Sequence, residues 1–268
     1  MTGNTEHPLG LEHLGGCLAL SQAANWNQNA ADWRLMLSMG RGWGISVAGT
    51  LVASTLVLYY GAFAWISMVL VLPEHRRKGH ASRLLRIALE HLRARGMTPI
   101  LDATPAGREV YRQEGFHDTW TFKRYQRKSG TDQDFRRAEM AQPDFAIDRE
   151  AFGADRGRLL HALQQRLPQA AVGKNGAFIL GREGREAHQI GPLVAHDEDT
   201  ALELLEAALG AVRPPVYVDA VDHAPRLQRW LEEHGFEFQR PFTRMVHGHA
   251  RAPGNESLVY LVAGPELG

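Results

Sequence analysis

The sequence predicts an α/β (α+β) protein made of two similar domains in tandem, each a mixed, mostly antiparallel sheet flanked by helices. Three observations carry that expectation. Short runs rich in Val, Leu, Ile and Tyr alternate with segments of helical period along most of the chain. The order of those segments recurs at a shift of about 120 residues, which lays Leu204-Leu205 on Leu84-Leu85 and Gly235-Phe236 on Gly115-Phe116. The 268 residues also exceed the roughly 150 that one such domain takes.

The elements follow in order. Around Leu14, Cys17, Leu18 and Leu20 the pattern is helical, and Cys17 is the sole cysteine. A lone thiol among leucines reads as a small buried hydrophobe, forms no intrachain disulfide and suits a reducing compartment. With no basic stretch followed by an apolar run in the first residues, a cytoplasmic location is expected. No charged side chain occurs between Arg41 and Glu74, a span long enough to cross a membrane. Gly49-Thr50 and Tyr60-Gly61 interrupt it, however, and its Val, Thr, Ser and Tyr content suits three strands, at about 44–48, 51–60 and 63–71. No membrane association is expected.

Past Pro73, residues 82–95 place Leu84, Leu85, Ala88, Leu89 and Leu92 on one helical face. A strand at 100–103 and a helix at 106–114, closed by Gly115, complete the first half. The polar, turn-rich stretch from Lys128 reads as a linker, giving domains at 1–128 and 141–268 joined by residues 129–140. In the second half, 189–194 and 216–220 read as strands, and 197–209 and 224–234 as helices.

The bulk charge is zero, which gives no reason to expect nucleic acid as a partner. That balance conceals 15 basic against 9 acidic side chains in residues 1–128 and 15 against 21 in the remainder. In the basic half, the segment Val69-Leu70-Val71-Leu72-Pro73-Glu74-His75-Arg76-Arg77-Lys78-Gly79-His80-Ala81-Ser82 runs from an apolar strand through a basic, glycine-bearing turn into a helix. Unpaired N–H groups of a helix's first turn, its dipole and adjacent cations together favour an anion, and Gly79 and Ala81 admit close approach of a ligand.

The spacing Arg76-x-x-Gly79-x-Ala81 resembles the (Arg/Gln)-x-x-Gly-x-(Gly/Ala) signature of the GCN5-related N-acetyltransferases. Tyr111-Arg112-Gln113-Glu114-Gly115-Phe116 is similar to the Tyr-x-x-x-Gly-Phe element of that superfamily. Asn25-Trp26-Asn27-Gln28 with Asp32-Trp33, residues 101–107, 151–156 and 263–268 resemble a bacterial group with a degenerate second acetyltransferase-like domain. The resemblance implies an N-acetyltransferase that takes acetyl-CoA and passes its acetyl group to the primary amine of a small molecule by direct transfer in a ternary complex. It implies that the turn and helix start from Arg76 to Ser82 hold the diphosphate. Val69, Leu70 and Val71 would bond the pantetheine arm, with the Leu70 N–H on the acetyl carbonyl. Tyr111 would be the general acid that protonates the departing thiolate. Relatives often have Asn seven residues before this Tyr and Ala four before it; here these are Thr104 and Gly107, and Thr104 is taken as the cofactor contact.

Under the same shift, His196, Asp199 and Ala201 replace Arg76, Gly79 and Ala81, with Asp197 and Glu198 between, so the second copy is expected to bind no diphosphate. It would instead shape the acceptor site. Trp26, Asn27 and Gln28 are expected to form an aromatic and amide wall for the amine, with Asp219 as an acidic contact. No general base is evident; Asp102, Asp219, His223 and a water chain all remain open. The scattered histidines, including the His247-x-His249 pair, lack a compact metal-ligand spacing, so no metal is expected. Two other readings fit the same motifs: a CoA-binding sensor without turnover, and a transferase of a longer acyl-CoA.

Overall fold

The computed structural model describes residues 5–130, 135, 141–248 and 251–268. Most of the expected linker 129–140 and His249 lie outside the described residues. The first half comprises β1 (Thr5–Leu9), α1 (Leu14–Ala23), α2 (Ala30–Met39), β2 (Gly40–Val47), β3 (Thr50–Tyr60), β4 (Phe63–Val71), α3 (His80–Arg93), β5 (Thr98–Ala103), α4 (Pro105–Gln113) and β6 (Phe116–Arg127). The second comprises α5 (Asp148–Phe152), α6 (Gly157–Arg166), β7 (Val172–Lys174), β8 (Ala177–Arg182), β9 (His188–Val194), α7 (Glu198–Leu209), β10 (Val216–Val221), α8 (Pro225–Glu233), β11 (Glu237–His247) and β12 (Val259–Leu261). No helix among the described residues is long and apolar enough to cross a membrane.

Local pattern accounts for most of these elements. The face of α3 foreseen from its period is buried against β3 and β4, and each of its leucines contributes about 1.5–3 kcal/mol through removal from water. Cys17 is fully buried, as a small hydrophobe would be. β2 begins at Gly40, earlier than its composition suggests, because pairing from Gly40↔Leu58 to Val47↔Thr50 imposes a strand on a segment without β propensity.

The described strands form one twelve-stranded sheet in the order β1-β2-β3-β4-β5-β11-β6-β10-β12-β9-β8-β7. Its pairings are antiparallel except β4 with β5 and β9 with β10. The expected boundary at residue 128 divides the sequence but not the sheet, because the halves exchange their final strands. β11 inserts between β5 and β6, pairing 243–246 with 100–103. β6 in turn pairs 122–127 with 216–221 of β10.

The two parallel pairs then behave differently. β4 accompanies β5 only from Phe63↔Thr98 to Trp65↔Ile100, and beyond this the strands part and leave a slot. β9 and β10 likewise pair from Val216↔His188 to Val218↔Ile190, but β12 enters the gap, pairing Leu261 with both Ala220 and Leu193. One slot is open and its counterpart is plugged by the chain's own strand.

Candidate active site

At the open slot β4 carries a bulge. The register steps from Leu56↔Ser67 to Ser54↔Leu70, and the odd residue, Met68, has φ +51° with its carbonyl bonded by the Ser54 hydroxyl at 2.8 Å. Leu72 N–H bonds Val52 O at 2.9 Å, and alternate residues of an antiparallel strand point their N–H groups to the same neighbour. Leu70, opposite Ser54, therefore turns its N–H to β3. The expectation for the Leu70 N–H is corrected on this register: Val69 and Val71 present their backbone groups to the slot.

Beyond β4 the chain turns into α3. Gly79, the residue before that helix, has φ +80°, nothing stands within 4 Å of where its Cβ would be, and no side chain caps the helix. The first-turn N–H groups are thus left for a ligand. The Arg76 side chain lies back along the strand, its Nε donating to Val71 O at 3.3 Å. Arg77, Lys78 and Ser82 belong to the same turn and helix start. His80 is buried, and burial followed by the charges of His75, Lys78 and Arg83 lowers its pKa. The helix at the equivalent place in the second half differs: Asp197 accepts from Thr200 N–H at 2.8 Å and fills the N-terminus of α7. Glu198 accepts from Leu227 N–H at 2.8 Å, and Asp199 pairs with Arg226.

Two openings meet in the first half. A channel of about 420 Å³ runs along Val69, Leu70, Val71, Arg76 and Ala81 to Thr104 and Tyr111. A narrow chamber of about 30 Å³ lies on the inner side, between the bulge at Ser67 and Met68 and the second-half residues Arg240, Phe242, Pro265 and Glu266. Trp26, Val69, Asp102, Thr104 and Tyr111 line both. Thr104 caps α4 by accepting from Gly107 N–H at 3.4 Å. A Cβ on residue 107 would stand 2.9 Å from the Tyr111 ring, so Gly107 makes room for the ring at the junction. Burial pushes the Tyr111 phenol up to about 12.

The expected acceptor wall is only partly there. Trp26 and Gln28 line the chamber, but Asn27 does not: its oxygen accepts from the N–H groups of Glu186 and Ala187 at 2.8 and 3.0 Å, and its nitrogen donates to Ala187 O at 3.0 Å. It fastens one half to the other. Asp219 is likewise closed off, fully buried, with its two oxygens on Arg124 Nε and Nη2 at 2.8 and 2.7 Å and Gln189 at 3.0 Å. What reaches the chamber is Arg124. Trp33 is core, bonded to Ser21 at 2.9 Å, and His223 Nε2 donates to Val259 O at 3.1 Å, away from the openings. Asp102 stands at the junction, paired at two points with Arg244; burial raises its pKa and Arg244 opposes the rise. No cluster among the described residues could hold a metal ion.

Arg124, Arg240, Phe242, Ser67 and Glu266 were missed in the sequence. Glu266 belongs to the 263–268 segment, whose resemblance to relatives was a signal without a role attached. That segment passes under β3 and β4, where Pro265 O accepts from Trp65 Nε1 at 3.0 Å and Leu267 O from the Tyr60 hydroxyl at 2.9 Å.

A splayed parallel pair, an uncapped glycine helix start and a tyrosine where two openings join define an acyltransferase. Residues 19–116 match the acetyltransferase (GNAT) family and residues 145–261 match a second acetyltransferase (GNAT) domain. The chain belongs to the GCN5-related N-acetyltransferases, as a member with two such domains in tandem. No curated protein matches it in sequence. Among solved structures it is similar to a candidate acetyltransferase of Pyrococcus horikoshii, with TM-score 0.80 and 21% identity over 100% of this chain and 97% of the other. A GCN5-related N-acetyltransferase of Sphaerobacter thermophilus gives TM-score 0.67 and 16% identity, covering 94% and 98%. At these identities the likeness is one of fold.

Proposed function

We propose that the protein transfers the acetyl group of acetyl-CoA to the primary amine of a small molecule, directly, with both substrates bound at once. The observation that carries this reading is the shared wall of channel and chamber at Tyr111, Val69 and Thr104. The cofactor fits the channel by the uncapped first turn of α3, the open space at Gly79 and the free edge of β4. When bound, acetyl-CoA supplies a thioester carbonyl carbon that accepts the amine and a sulfur that leaves as thiolate.

The protein's part is then positional and electrostatic. The Val69 backbone at the bulge is available to the developing oxyanion. The Tyr111 hydroxyl stays protonated at neutral pH and gives its proton to sulfur as the C–S bond breaks and the C–N bond forms. A phenol near 12 is a weak acid, so the transfer is downhill only when the thiolate is desolvated beside it, as a buried anion's basicity rises by the same cause. The proton released by nitrogen has an acceptor in the chamber wall, a Glu266 carboxylate oxygen. No thiol serves as an acyl carrier: Cys17 is enclosed in the core and burial holds its pKa at about 12.

Thiol release from acetyl-CoA, followed over a panel of amines, amino acids and polyamines, tests the reading. Intersecting initial-velocity lines are expected; parallel lines would exclude the ternary complex.

A further inference from the structure

Four buried side-chain atoms that line the chamber have no hydrogen-bond partner: Gln28 Oε1, Ser67 Oγ, Glu266 Oε2 and Arg240 Nε. Gln28, Ser67 and Glu266 are 3%, 6% and 2% exposed, so bulk solvent scarcely reaches them. Leaving such groups unpaired costs stability, and their convergence on one cavity marks a place where a ligand completes them. They divide by chemistry: three can accept a hydrogen bond and one donates.

The charges divide in the same way. Arg124 is matched by Asp219, Arg244 by Asp102, and Arg182 by Glu266 and Asp32. Arg240 has no carboxylate within ion-pair distance among the described residues and rests against the Phe242 ring at 5.6 Å. Burial and the neighbouring Arg124 depress its pKa, against the opposing pull of Asp219 and Glu266. Like Gln28, Ser67 and Glu266, it lines the chamber but not the channel.

We infer that the acceptor is a small amino acid, its amine facing Gln28, Ser67 and Glu266 and its carboxylate received by Arg240. This deepens the acetyltransferase reading and rests on it for the amine end. An ammonium group has three N–H donors, which the three orphaned acceptors match, and a carboxylate gives the Arg240 fork an acceptor. A phosphate dianion fits less well, because the free Glu266 oxygen faces the same space. A polyamine leaves Arg240 uncompensated. The chamber's free space of about 30 Å³ admits only a small molecule. The second half, through β11, thereby supplies the specificity that the exchange of strands delivers to the first half's site.

The test compares each L-amino acid with its carboxamide, on the full chain saturated with CoA, by calorimetry, and with acetyl-CoA by turnover. At least one acid is expected to bind about 10- to 100-fold more tightly than its amide, the range of a charge-assisted buried contact. Arg240→Gln should bring that ratio to within about twofold while CoA affinity stays put, and Arg240→Lys should restore part of it. No acid preferred over its amide in the unmodified protein overturns the assignment, as does a preference that survives Arg240→Gln. Acids that bind preferentially yet are never acetylated support the subsite and remove the acetyltransferase reading. Amides acetylated at least as fast as acids do the reverse.

Discussion

Arg244 of β11 reaches across the boundary between the halves to Asp102 of β5, its Nε and Nη2 bonded to the two carboxylate oxygens at 2.9 and 3.0 Å. Its guanidinium is held between the rings of Trp65 and Trp120, at 4.4 and 4.0 Å. The aromatic faces stabilise the cation and the carboxylate neutralises it, so a second-half residue sits immobilised behind the junction of channel and chamber.

Asp102→Asn removes the charge from this pair and leaves Arg244 buried without a counter-ion. Stability should fall by about 3–5 kcal/mol in urea titration, because desolvation of the remaining charge is no longer offset. A loss under about 1 kcal/mol would mean that Trp65 and Trp120 hold Arg244 unaided.

Tyr111→Phe keeps the ring in its place beside Gly107 and removes the proton. A fall in kcat of roughly 10- to 1000-fold is expected, with the acetyl-CoA affinity within a few-fold. Full kcat under conditions where chemistry limits the rate would reduce Tyr111 to packing. Its pH behaviour follows in sign: the ordinary phenol value of 10.0 is raised to about 12 in the native state. Below pH 10 both states keep the proton and Tyr111 adds no pH dependence. Above it the unfolded chain ionises first, so native stability should decline from pH 10 upward, and less so in Tyr111→Phe.

One CoA per chain is the expected stoichiometry. The second half has β12 in its slot and the Asp197 carboxylate on the first turn of α7, whereas the first half has neither obstruction. Calorimetric saturation at two would contradict this. Gly79→Asp should weaken CoA binding at the single site about 100-fold, since a carboxylate would occupy the space beside Gly79 that the diphosphate needs.

A fragment ending at residue 128 is expected to fail as an autonomous catalyst. It would expose the edge of β5 that β11 covers and lack Arg240, Phe242 and Glu266 of the chamber. The full chain should unfold in one transition in urea, and the fragment should show none or aggregate. A soluble fragment with unchanged kcat/KM would show that the second half is dispensable.

The sequence alone determined what local pattern can carry. The 3.6-residue period of Leu84 to Leu92 gave α3 and its buried face, the run through Arg76 and Gly79 gave the glycine-led helix start, and the 120-residue echo gave the duplication. The acidic run 197–199 already showed which copy lacks the turn. Each of these depends on residues close in sequence, whose spacing is itself the physical signal.

Only the tertiary structure decided which atoms face one another. Asn27 and Asp219, polar and plausible in sequence, spend their hydrogen bonds between the halves, while Arg240 and Glu266, unremarked in sequence, turn into the chamber. The exchange of β6 and β11 and the plugging of one slot by β12 join residues more than 100 positions apart in some of their pairings, as in Arg244 with Asp102. Such pairings leave no mark on local spacing, because burial and register between distant strands, not the identity of neighbours in the chain, set where each side chain points.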